Sequence, residues 1–202
     1  MTRLTYLIIA LATIAALPPQ AGPSDAGSID IIGEQLTAEQ TEMTEGAVGL
    51  FVQAGLTLPS GLTVAFHQTS TPCGGGSAAG AFRPATGQIT ICSMHRDPVV
   101  AGARQRRVLV HELAHAWAES FLEPQRQEAF LAIRDVEAWR SPDLRWREQG
   151  TEQAADIVTW GIYDRDVLFL NIDNKSCQEL DEAFRTLTGL MATAGLSHNC
   201  EG

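Results

Sequence analysis

The chain has 202 residues, 45% hydrophobic and 19% charged, a globular composition that excludes a disordered or fibrous protein. Its formal net charge of -10, from 14 Lys and Arg against 24 Asp and Glu, argues against nucleic acid or an anionic membrane as the main partner. The length fits one domain with a real core.

Arg3 precedes the apolar run LTYLIIALATIAAL, Leu4 to Leu17, and PPQAGPSDAGS follows it. That run is shorter than the roughly 20 residues that cross a bilayer, and Ala21 or Ala26 offers a small residue for cleavage. Residues 1–26 are therefore expected to be a secretory signal peptide, leaving an exported protein with no stable membrane association. The segment carries one Arg and one Asp, so its removal leaves the net charge unchanged. Residues 27–36, with SIDIIGEQL, read as an N-terminal arm, and residues 37–202 as the folded domain.

Cys73, Cys92, Cys177 and Cys200 allow three pairings. An even count in an exported chain with no Cys-x-x-Cys suggests structural disulfides rather than a metal knuckle. Pairing of neighbours, Cys73–Cys92 and Cys177–Cys200, is expected because each bridge closes a local loop.

Thr37-x-x-Gln40 has the form of a capping box and opens a helix running to about Gln53, with Val48, Leu50, Phe51 and Val52 as apolar surface. Leu58 to Gly61 reads as a turn, and Leu62 to Gln68 as a strand. The consecutive glycines in STPCGGGSAAG have no Gly-Lys-Ser/Thr after them, so a connection stapled by Cys73 is expected rather than a phosphate loop. Pro84 to Gly87 reads as a turn before a strand from Gln88 to Ser93. Helices are expected from Val99 to Phe121, Arg126 to Trp139, Thr151 onward and Glu179 to Met191, with Ser-Pro-Asp at 141–143 breaking the chain. Strands come first and helices after, an α+β pattern.

The helix 99–121 contains His111-Glu112-Leu113-Ala114-His115. Residues four apart on a helix differ by about 40° of rotation, so both imidazoles can aim at one point. Leu109, Val110, Leu113, Ala114, Trp117 and Phe121 form another side, which leaves the histidines to line a cleft. A His-Glu-x-x-His spacing also arises by chance, so a second feature is required. It lies in GTEQAADIVTWG, where Glu152 and Asp156 are again four apart. One of the two can bind a metal while the other hydrogen-bonds a ligand histidine and fixes its tautomer. Ala154, Ala155, Ile157, Val158 and Trp160 make this segment too apolar for a solvated acidic face.

HELAH and EQAAD together resemble the gluzincin branch of the zinc metallopeptidases, in its small single-domain form. The resemblance covers about Leu62 to Tyr163. It implies a zincin-like domain with a small mixed or antiparallel sheet, then the active-site helix and further helices. It implies His111, His115 and Glu152 as ligands of Zn2+, Glu112 as general base, and Asp156 as the hydrogen-bond partner of a ligand histidine. In the family the last strand before the active-site helix forms the rim of the substrate cleft, which would be Gln88 to Ser93. The metzincin branch fits less well, since it wants Gly and His where Ala118 and Phe121 stand. An aspzincin reading would make Asp156 the ligand after Gly150-Thr151, but it gives Glu152 no role.

Glu119 lies about 12 Å along the helix from His111, too far to share an ion with both histidines. Glu148 is the fallback ligand. His67, His95 and His198 read as isolated surface or core histidines. Tyr163 and His198 are candidates for oxyanion support, although Tyr163 is about 16 Å from Glu152 along a continuous helix. The expected activity is hydrolysis of a peptide or protein substrate by zinc-activated water. The alternatives are a zinc-dependent amidase acting on cell-wall or other non-protein amides, and a non-catalytic zinc-stabilised binding domain, which the intact Glu112 disfavours.

Overall fold

The computed structural model describes residues 29–32, 37–75, 78–92, 98–163 and 176–193. The expected signal peptide, Ser93, His95, His198 and Cys200 lie outside the described residues. The architecture is α+β, with a four-stranded mixed sheet in the first half and most of the helices after it.

Helix α1 (Ala38–Gln53) starts where the capping box places it, with Thr37 accepting from the Gln40 N–H and the Gln40 side chain accepting from the Thr37 N–H. Met43, Ala47, Leu50 and Phe51 turn inward, whereas Val52 is exposed. The strands are β1 (Asp30–Ile32), β2 (Thr63–His67), β3 (Gly80–Arg83) and β4 (Gln88–Cys92), in the sheet order β1-β2-β4-β3. β1 and β2 pair in parallel, as do β2 and β4, while β3 runs antiparallel to β4. The central strand β4 is buried along Ile89 to Cys92, as a strand with neighbours on both sides and helices packed on it must be.

The sheet differs from the sequence reading in three ways. Asp30–Ile32, taken as part of an arm, pairs with Thr63 to Ala65 as strand β1. Gly80–Arg83, taken as the end of a loop, is a strand that the 84–87 turn folds back along β4. The sheet edges are therefore β1 and β3, and Gln88 to Cys92 lies inside the sheet rather than at a cleft rim.

Helix α2 (Pro98–Phe121) packs on α1, β3, β4 and α4 (Gly150–Ile162). Its middle is buried all round: Leu109, Val110, Leu113, Ala114, Ala116 and Trp117 join the core, and His111, Glu112 and His115 are buried as well. Phe121, expected on the core face, is exposed at the end of the helix. Helix α3 (Pro124–Arg134) stops five residues before the expected end, because Asp135 adopts φ 50 and the Val136 N–H returns to the Leu131 carbonyl. Helix α5 (Cys177–Thr188) packs behind α4, where a Cβ on Gly161 would lie 2.3 Å from Phe184 Cδ2. Among the described residues no helix is long and apolar enough to cross a membrane.

The Cys73–Cys92 disulfide forms as expected and ties the glycine loop to the end of β4. Cys177 is also disulfide-bonded.

Candidate metal centre

Helices α2 and α4 hold the site between them. His111 and His115 project from successive turns of α2, and Glu152 projects from the first turn of α4. An acidic residue suits that position because the free N–H groups of a helix start favour negative charge. The three side chains converge: His111 Nε2 and His115 Nε2 are 3.1 Å apart, and Glu152 Oε2 is 3.2 Å from the first and 3.1 Å from the second.

Hydrogen bonds on the far side of each ring decide what this triangle presents. Asp156 Oδ1 lies 3.0 Å from His111 Nδ1. An ionised carboxylate only accepts, so Nδ1 carries the proton and Nε2 the lone pair. Thr151 Oγ1 lies 3.2 Å from His115 Nδ1 and acts on the second ring in the same way when it accepts. Two imidazole lone pairs and a carboxylate oxygen then point at one another in a buried space, which repels unless a cation sits among them. A tetrahedral ion with bonds of about 2.0–2.1 Å separates its ligand atoms by about 3.3 Å, close to the spacings found. The cluster His111, His115 and Glu152 can therefore hold a metal ion.

The protonation equilibria of the metal-free cluster express the same demand for positive charge. Burial pulls the His111 pKa down, but the hydrogen bonds to Asp156 and Glu152 outweigh it and carry it to about 10. Burial pushes Glu152 up, and the two histidines outweigh that and bring it to about 2. Both shifts favour positive charge at the centre.

Glu112 lies beside the cluster and outside it. Its carboxylate accepts from the Phe82 backbone N–H on β3, and burial raises its pKa although His111 and His115 pull the other way. Gly80 makes this position possible, because a Cβ there would stand 2.5 Å from Val108 Cγ1 and 2.6 Å from Glu112 Oε1.

The centre opens on a cleft of about 850 Å³, within the usual range for ligand sites. Its lining includes Gly80, Val108, His111 and Glu112, with Trp146 and its neighbours from the turn before α4. The Trp146 ring lies 5.9 Å from the His111 ring at 31°. Arg107, also in the lining, sits 3.7 Å from Asp156.

The geometry brings together His111, Glu112, His115, Glu152 and Asp156. It does not bring Glu148, whose carboxylate pairs with Arg145 and is held below its usual pKa by that contact. Glu119 pairs with Arg140 at 2.8 Å. His67 is exposed at the end of β2. Tyr163 is buried in the core just beyond the far end of α4 from Glu152. The sequence reading missed Thr151, the Phe82 N–H, Arg107 and Trp146. Thr151 was within reach of it, because it immediately precedes Glu152 and sits one residue outside the Glu-x-x-x-Asp spacing.

Comparison of the chain with protein-family models, with curated proteins and with solved structures found no match.

Proposed function

We propose that this protein is an exported zinc-dependent peptidase with a zincin-like fold, which hydrolyses peptide bonds in the cleft between β3 and the turn before α4. The observation that carries the reading is the triangle of His111, His115 and Glu152 acceptor atoms with Glu112 held separately beside it. Three protein ligands with a free fourth position is the ligand count of catalytic rather than structural zinc. A structural role alone would leave a buried carboxylate at 112 without purpose. The donor set of two imidazoles and one carboxylate also suits zinc among the divalent metals.

When bound, zinc supplies Lewis acidity, which lowers the pKa of a coordinated water toward about 7. The chain's own residues do the rest. Asp156 holds the His111 ring by its Nδ1–H, and Thr151 holds His115. The Phe82 N–H keeps the Glu112 carboxylate turned toward the cleft. Glu112 takes a proton from water as the water oxygen attacks the amide carbonyl carbon, then gives that proton to the departing nitrogen as the C–N bond breaks. Its raised pKa brings it nearer to what a proton shuttle at neutral pH needs.

The test is zinc stoichiometry beside hydrolysis rates on casein and on peptidoglycan, with and without chelator, for wild type and Glu112→Gln. Gln keeps the shape but cannot take a proton. The variant should bind zinc as wild type does and lose at least about 10²-fold in rate. Cleavage of peptidoglycan but not casein moves the reading to an amidase. Equal rates in wild type and variant, or none on any substrate, overturn it.

A further inference from the structure

We propose that the cleft recognises a carboxylate carried by the substrate close to the amide that is cut, with Arg147 as the recognising group. This inference rests on the hydrolase reading above and deepens it by assigning a substrate class.

The distribution of charge is the first observation. The chain is strongly acidic, at -10, yet four of its 14 basic residues, Arg104, Arg107, Arg145 and Arg147, line this one cleft. The carboxylates in the same lining are Glu112 and Asp156, and both are already committed to the centre. A cluster of arginines in a negative protein favours the approach of an anionic ligand to this cleft.

The second observation is how the arginines are engaged. Arg107 leans on Asp156 at 3.7 Å, and Arg145 pairs with Glu148. These two are explained by structure. Arg147 is exposed in the lining and makes no ion pair among the described residues; it acts on Glu148 only at longer range. Arg104 enters the lining from α2, one turn before Arg107, and is engaged as well. A guanidinium binds a carboxylate through two parallel N–H donors, so this pattern suits a planar carboxylate better than a neutral amide side chain. Trp146 stands between Arg145 and Arg147 with half its surface exposed, giving the aliphatic part of a Glu or Asp residue an apolar wall.

Two sources supply such a carboxylate: an acidic side chain, or the free C-terminus of the peptide. Three short peptides of otherwise equal sequence separate them. One carries Glu beside the target bond and an amidated end, one carries Gln with an amidated end, and one carries Gln with a free end. Binding is read on zinc-loaded Glu112→Gln protein, which does not turn the peptides over, through the change in tryptophan fluorescence as the Trp146 wall is covered. Turnover is read separately on wild type.

A carboxylate-bearing peptide should bind at least about tenfold more tightly than the amidated Gln peptide, a difference of about 1.4 kcal/mol. The preference should weaken as salt is raised. Arg147→Glu should abolish or reverse it, with zinc content and melting temperature unchanged. Whichever carboxylate peptide wins identifies the source. Equal affinity for all three peptides overturns the proposal, as does a preference that survives in Arg147→Glu. Cleavage by wild type without any charge preference removes this inference and leaves the hydrolase reading intact. A charge preference in binding with no cleavage by wild type does the reverse.

Discussion

Gly80→Ala is a small change that separates the proposed base from the proposed metal ligands. A methyl group at this position would lie 2.5 Å from Val108 Cγ1 and 2.6 Å from Glu112 Oε1, where ordinary contacts begin near 3.4 Å. Val108 sits on a helix packed against the sheet, so the strain falls partly on β3 and partly on the Glu112 side chain, each yielding by up to about 1 Å. Overpacking of this kind costs about 1–3 kcal/mol. For a domain of this size that is a fall of about 2–12 °C in melting temperature. His111, His115 and Glu152 touch neither contact, so zinc stoichiometry should stay at wild-type level. Displacing the carboxylate by such a distance should slow hydrolysis by about 10–100-fold. The assay is thermal unfolding, metal content and rate on the same preparations. Val108→Ala removes one of the two clashes, so the melting-temperature cost of Gly80→Ala should shrink in that background. A Gly80→Ala protein with wild-type melting temperature and rate would refute the placement of Glu112 against β3.

Asp156→Ala should weaken zinc binding by about 10–100-fold in a competition with a chromophoric chelator, because His111 loses the partner that fixes its ring; unchanged affinity would show that Asp156 serves only Arg107. In the metal-free protein His111, raised from 6.5 to about 10, contributes stability that is complete below pH 6.5 and lost as pH rises toward 10, whereas Glu152, lowered from 4.5 to about 2, contributes stability present above pH 4.5 and lost as pH falls through 2. Melts of the metal-free protein should therefore peak between pH 4.5 and 6.5, and a flat profile through this range and up to pH 9 would contradict the cluster. The double variant Cys73→Ser with Cys92→Ser should lose about 3 kcal/mol of stability in denaturant unfolding, as expected for a bridge spanning 19 residues, and an unchanged midpoint would show that β3 and β4 hold that loop alone.

Local signals carried much of the fold. The capping box at Thr37 and Gln40 marks the start of α1 to the residue, since both partners are four positions apart at most. The two four-residue spacings marked the site because a helix turns them into geometry without help from elsewhere. What the sequence hides is what depends on distant partners. Gly80 to Arg83 has neither alternation nor β-branched residues, and it becomes a strand because the 84–87 turn lays it along β4. Asp30 to Ile32 gains its pairing from β2, more than thirty residues away in the chain. The end of α3 rests on a left-handed Asp135, a conformation that aspartate tolerates but does not announce. Glu112 is buried because β3, a strand that could not be read from its own residues, lies over it.

Since the ligands come from two helices, an ion held by them is also a clasp in the chain. His115 and Glu152 are 37 residues apart, and the segment between them contains α3 and the turn that carries Trp146. Closing a loop of that length with a permanent tie removes about 4 kcal/mol of freedom from the unfolded chain by the chain-entropy estimate. Metal loading thus guards the whole stretch from α3 to the cleft wall. Where a protease is present, a chain without its ion would open over this stretch first and be cut there.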